Sequence, residues 1–126
     1  MNNLPYDTCR HIEYYKNNSA ICRILDRISP QEIAVSDVVC AELYFGARNK
    51  QELSDIVADM ENLTVLPISS KISTLAVELV KQYCLSHKLK LPDAQIAATA
   101  LFYDAKLMTL NKRDFSFIPN LKLYEQ

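Results

Sequence analysis

The chain has 126 residues, 49% of them apolar and 23% charged, with a formal net charge of −1 at pH 7. This balance offers enough apolar surface to offset the entropy of ordering, which excludes extensive disorder, and it excludes the global basic field that draws proteins non-specifically to nucleic acid. The length fits one domain over residues 1–126, and the single glycine, Gly46, excludes phosphate loops that need several glycines for close backbone approach.

The opening Met1-Asn2-Asn3-Leu4-Pro5 lacks a basic region followed by an apolar run, and no apolar stretch approaches the ~18 residues that span a bilayer. Leu4 to Thr8 reads as a brief first strand. Asn17-Asn18-Ser19 caps a helix carrying Ile21, Ile24, Leu25 and Ile28, and Ser29-Pro30 ends it. Ile33 to Ser36 reads as a buried strand, with Ser36 or Asp37 capping the next helix and Gly46 near that helix's end. Asn49 with Glu52 forms a capping-box pattern before a helix that turns Leu53, Ile56, Val57 and Met60 inward. Thr64 to Leu66 is a third strand, stopped by Pro67. Ser69 or Ser70 opens a helix with an inner stripe of Ile72, Leu75, Ala76, Leu79 and Tyr83. Lys88 to Pro92 reads as a loop, and Asp93 opens a small-residue helix over Ala94 to Tyr103. Lys106 to Leu110 is a fourth strand, Asn111 to Phe117 a turn or short helix, and Leu121 to Tyr124 a fifth strand. Strands separated by helices predict a three-layer α/β/α sandwich around a parallel sheet of about five strands.

Cys9, Cys22, Cys40 and Cys84 contain no C-x-x-C pair. Cys22, Cys40 and Cys84 fall on apolar helical faces, so the sequence predicts reduced core thiols and a cytoplasmic protein.

Parallel sheets of this kind bind ligands at the carboxyl ends of their strands. Four acids are candidates for such a site: Asp7 after strand one, Glu42, Asp93, and Asp114 after strand four. Converging carboxylates either share protons or bind a cation, and an all-oxygen set suits Mg²⁺ or Mn²⁺ better than zinc. Such an ion polarises a phosphoryl oxygen and activates water. Each acid also has a local alternative. Asp7 and Asp93 fit helix caps, and Asp114 with Asn111 fits a turn. Glu42 is harder to explain locally, because Val38 and Phe45 share its helical ridge. Asp37 competes with Glu42, but an N-cap role suits it better.

Four blocks carry a family resemblance: Leu4-Pro5-Tyr6-Asp7-Thr8, Ala41-Glu42-Leu43-Tyr44-Phe45-Gly46-Ala47, Leu91-Pro92-Asp93-Ala94-Gln95-Ile96-Ala97-Ala98-Thr99-Ala100, and Thr109-Leu110-Asn111-Lys112-Arg113-Asp114-Phe115. In this order they resemble the PIN-domain family and, within it, the VapC-type toxins of bacterial toxin–antitoxin modules. The resemblance implies a ribonuclease using Mg²⁺ or Mn²⁺, with Asp7, Glu42, Asp93 and Asp114 as metal-binding catalytic acids. It implies that Thr8, Thr109 and Asn111 are supporting polar groups, and that the chain forms a homodimer silenced by a small antitoxin. Two positions depart from the pattern. Cys9 stands where the family commonly has Asn, which removes a possible hydrogen bond. Pro5 lies in a strand that should be central, so the strand is expected to start late or carry a bulge.

RNA backbone contacts need cations beside these acids. Arg10 and His11 follow Asp7, Arg48 and Lys50 follow the Glu42 helix, and Lys112 and Arg113 precede Asp114, with Tyr14, Tyr15 and Tyr44 available for base stacking. Of these, Arg10, Arg48, Lys112 and Arg113 are the candidate substrate contacts; His11 reads as a helix-surface residue. The rival readings are an aspartyl-phosphate phosphatase, which usually wants Asp where Cys9 stands, a phospho-receiver domain, and a degenerate PIN-like domain that only binds RNA or protein.

Overall fold

A computed structural model describes residues 4–6, 33–107, 109 and 112–123. Three strands, β1 (Leu4–Tyr6), β2 (Ile33–Ser36) and β3 (Thr64–Leu66), form a parallel sheet in the order β1-β2-β3. Leu4 lies opposite Ile33 and Tyr6 opposite Val35; on the other side Ala34 faces Thr64 and Ser36 faces Leu66. Ala34, Val35 and Ser36 are all buried. Successive strand residues point to opposite faces, so both faces of the central strand are covered, as expected where helices lie above and below a parallel sheet.

Pro5 pairs in unbroken register with Ala34. The predicted late start or bulge is therefore absent from β1. In a parallel ladder neighbouring residues direct their N–H groups to opposite sides, so one proline removes one donor without displacing the strand. Among the described residues of the predicted fourth and fifth strands, one parallel bridge joins Leu107 and Leu123, with the Leu107 N–H donating to the Lys122 carbonyl at 2.8 Å.

Four α-helices among the described residues follow from local chemistry. Helix α1 (Asp37–Phe45) is capped by Ser36, whose hydroxyl accepts from the Val39 N–H at 3.2 Å. Of the two caps predicted, Ser36 and Asp37, it is Ser36 that serves. The Asp37 carboxylate instead accepts from the Ile68 N–H at 3.1 Å, tying the start of α1 to the loop after β3. Helix α2 (Lys50–Glu61) is capped by Asn49, which accepts from the Glu52 N–H at 2.8 Å. Glu52 returns its carboxylate to the N–H of Arg48, one residue before the cap, so the box closes one position early. Helix α2 buries Ile56 and Met60, whereas Leu53 and Val57, predicted to point inward, are exposed. The buried pair lies at i, i+4, and the narrow contact of α2 with the sheet leaves its flanking apolar residues outside.

Helix α3 (Ser70–His87) is capped by Ser69 and buries Ile72, Ala76 and Leu79, with Leu75 and Tyr83 half-buried. Lys71, Thr74, Glu78, Lys81 and Gln82 face solvent. Lys88 ends the helix in the left-handed region at φ 55°, and the Leu89 N–H donates to the Tyr83 carbonyl at 3.3 Å. Helix α4 (Leu91–Phe102) begins two residues before the predicted opening at Asp93, because Pro92 is at home in a first turn. Ala94, Ala97, Ala98 and Ala100 are wholly buried, and their small side chains allow α3 and α4 to pack closely. The core joins Val35, Val39, Leu43, Ile72, Leu107 and Phe115. Cys40 is a buried free thiol, but Cys84 is exposed, because α3 turns residues 72, 76 and 79 inward and leaves 84 outside. Among the described residues no helix is long and apolar enough to cross a membrane.

Candidate active site

Three of the four predicted acids lie on described elements. Glu42 sits one and a half turns into α1 and is exposed. Its predicted apolar ridge does not enclose it: Val38 is half-buried, and Phe45 is 94% exposed. The reason is rotational, since α1 buries Val39, Cys40 and Leu43 and turns the 42–45 edge outward. Asp93 is half-buried in the first turn of α4. The N-cap is Lys90, with no side-chain cap bond, so Asp93 is the third helical residue rather than the cap. There its carboxylate lies near the positive end of the helix dipole, which favours an anion. Asp114 closes a short 3₁₀ turn (Lys112–Asp114) and is exposed.

Asp7, which follows β1 in sequence, lies outside the described residues, as do Thr8, Arg10 and Asn111. Packing relates the rest. Helix α1, which carries Glu42, packs against α4, which carries Asp93. Phe115 and Ile118 anchor the segment after Asp114 into the core that also holds Leu89 and Ala94. Thr109 is fully buried, a place suited to orienting another group and not to touching substrate.

Carboxylate oxygens alone make up the expected ligand set, and that donor chemistry fits a hard divalent cation. Among the described residues no three His, Cys, Asp or Glu side chains gather closely enough to hold a metal ion. Glu42, Asp93 and Asp114 therefore do not constitute a metal centre by themselves.

The candidate substrate cations differ in availability. The Arg48 guanidinium pairs with the Glu52 carboxylate at 3.0 and 3.1 Å. Arg113 is exposed, and Lys112 is half-buried. Tyr44 is partly exposed, and burial, followed by the charges of Cys40 and Glu61, pushes its phenol above the usual range. Burial and then the nearby Asp37 charge push the Cys40 thiol up as well, so it is a neutral packing group at neutral pH.

Two features escaped the sequence. One is the bond from Asp37 to Ile68, which no local pattern signals because the partners are 31 residues apart. The other is an aromatic cluster at the end of α3. There Phe117 stacks on His87 with centroids 3.9 Å apart and 10° between planes, and packs on Tyr83 at 5.0 Å. Its only trace in the sequence is an aromatic spacing of four between Tyr83 and His87.

Comparison with known proteins agrees with this architecture. The PIN domain family matches residues 7–120, a span that contains all four acids. Ribonuclease VapC19 of Mycobacterium tuberculosis is 30% identical over 119 residues, covering 92% of this chain and 94% of that protein. A toxin–antitoxin complex from Klebsiella pneumoniae contains a similar chain at 30% identity and TM-score 0.81, covering 98% of this chain and 100% of that one. VapBC2 from Rickettsia felis, bound to a DNA fragment from their promoter, contains another at 26% identity and TM-score 0.82, with 98% of each chain covered. The four sequence blocks, the parallel sheet between helices and these near full-length similarities together place the chain in the PIN-domain family, among its VapC-type members.

Proposed function

We propose that the chain is a Mg²⁺- or Mn²⁺-dependent endoribonuclease, the toxin of a type II toxin–antitoxin module acting in the cytoplasm. The observation that carries this reading is the near full-length similarity to a ribonuclease of the same family, with all four acids inside the family match.

In this reading Asp7, Glu42 and Asp93 would hold the first ion, and Asp114 would complete that set or recruit a second. When bound, such an ion would supply charge neutralisation at the phosphoryl oxygens and ease deprotonation of the attacking water. The remaining work belongs to the chain. β1 ends at Tyr6 and α1 follows β2, so in a parallel sheet α1 begins at the carboxyl edge, where a substrate crevice is expected; in sequence Asp7 directly follows Tyr6. Thr109, held in the core, orients a carboxylate or bound water together with Thr8 and Asn111. Arg10, Lys112 and Arg113 contact phosphates. Arg48 contributes less, because a phosphate must compete with Glu52 for its guanidinium. A small antitoxin silences the chain, which works as a homodimer; the solved relatives are toxin–antitoxin complexes.

The test is cleavage of single-stranded RNA by the purified chain. Cutting under Mg²⁺ or Mn²⁺, abolished by chelator and restored by Mn²⁺, is expected. Asp7→Asn should lose cleavage with an unchanged melting temperature. RNA bound but left intact under either ion would make the chain a degenerate binding module, and full activity in Asp7→Asn would remove that residue from the mechanism.

A further inference from the structure

The loop between α3 and α4 carries Lys88-Leu89-Lys90, directly before the first turn that holds Asp93. Leu89 is buried in the core with Ala94 and Phe115, while both flanking lysines are exposed. Both ends of the loop are fastened. The Leu89 N–H donates to the Tyr83 carbonyl at 3.3 Å, and the Lys90 carbonyl accepts from the Ala94 N–H at 2.9 Å. The two ammonium stems therefore leave from a fixed backbone, with the buried leucine holding them outside.

Three further observations single these lysines out. Lys88 occupies the left-handed position after a helix, where glycine is the usual residue. Neither lysine pairs with an acid among the described residues, whereas Arg48, Lys81 and Lys122 are each committed to one. The turn that follows Asp114 lies against the same end of α3, through Phe117 on His87 and Tyr83. Lys88 and Lys90 thus precede Asp93 in the chain just beyond this end of α3, and Lys112 and Arg113 precede Asp114.

We infer that Lys88 and Lys90 bind backbone phosphates of the RNA strand where it passes Asp93. This assignment rests on the ribonuclease reading and extends it to a loop that none of the acidic motifs marks. Ammonium groups of this kind position a strand without reading its sequence, so their contribution is electrostatic, salt-dependent and equal across sequences.

The test is RNA affinity of the full chain carrying Lys88→Gln and Lys90→Gln together. Binding is measured by fluorescence anisotropy with three labelled single-stranded 16-nucleotide RNAs of unrelated sequence, in chelator so that nothing is cut, over a range of salt. Lys71→Gln is the control. It removes an exposed lysine at the other end of α3, roughly 25 Å away at 1.5 Å per residue. The double variant should raise Kd about tenfold at low salt for all three RNAs, and reduce the slope of log Kd against log salt by about 1.4, at roughly 0.7 per lost contact. Its melting temperature and the Lys71→Gln binding curve should match wild type. An unchanged slope and Kd in the double variant overturns the inference, and so does a loss confined to one RNA. Parallel cleavage by wild type under Mn²⁺ separates the two claims. Cutting with wild-type binding in the double variant sinks the lysine assignment alone. A wild-type chain that binds but does not cut, with the slope still lowered in the double variant, sinks the nuclease reading alone.

Discussion

Two phenylalanines, each close in sequence to a predicted catalytic acid, should respond in opposite ways to truncation. Phe115 follows Asp114 and is 2% exposed; Phe45 lies in the Glu42 block and is 94% exposed. A buried aromatic removes about 150–250 Å² from water, and at about 25 cal/mol/Å² most of that is lost on truncation to alanine, giving about 3–5 kcal/mol once the cavity is included. In a chain of 126 residues each kcal/mol moves the melting temperature by roughly 4 °C. Phe115→Ala should therefore melt about 12–20 °C lower, and Phe45→Ala within about 2 °C of wild type. Circular dichroism melts of the three proteins at one concentration are sufficient. Because Phe115 anchors the turn that ends at Asp114, RNA cleavage by Phe115→Ala should also fall at temperatures where it is still folded, with Phe115→Leu retaining more. A Phe115→Ala drop below about 4 °C, or a comparable drop in Phe45→Ala, would refute the packing argument.

Four other outcomes follow from local geometry. Gly46 has φ −80° and ψ −5°, and an added Cβ would meet the Glu42 carbonyl oxygen at 3.4 Å. Gly46→Ala should thus keep or raise stability, by about 0.4–1 kcal/mol, and a lower melting temperature would contradict it. Thiol labelling of the native protein followed by peptide mapping should mark Cys84 quickly and Cys40 only on unfolding. Burial and the Asp37 charge raise the Cys40 pKa, so the folded chain holds that proton more tightly than the unfolded one; stability should fall as pH rises past the ordinary thiol value of 9.0, and Cys40→Ala should flatten the decline. Asp37→Ala releases the Ile68 N–H and should cost about 0.5–1.5 kcal/mol in denaturant melts, with Asp37→Asn recovering part of it; equal stability in all three would show that the bond adds nothing.

Much of this structure was legible from residue order. The helix starts at Asn49 and Ser69 were readable because a capping side chain bonds a backbone N–H three residues away, an interaction encoded within one turn. The inner stripe of α3 was readable for a similar reason, since the 3.6-residue period is local. Errors arose where a choice depended on distant partners. Asp37 looked like a cap until Ile68 offered its N–H, and Leu53, Val57 and Cys84 looked like core until the neighbouring elements left them outside. The apolar setting expected for Glu42 failed likewise, because the rotation of α1 on the sheet decides which edge is covered. For the candidate site, the acid motifs and their order were visible in the chain, but the burial of Thr109 and the diversion of Arg48 to Glu52 were not.

The sequence by itself determined the family and the identities of the charged groups, since these depend on residue type, spacing and order. It also determined most helix starts, because the capping bonds are short-range. Only the tertiary structure decided which apolar faces are covered and which cations remain uncommitted. It also set the turn after Asp114 against the end of α3 through Phe117 and His87. Each of these depends on groups far apart along the chain sharing one volume, and close packing settles that only when all of them are present together.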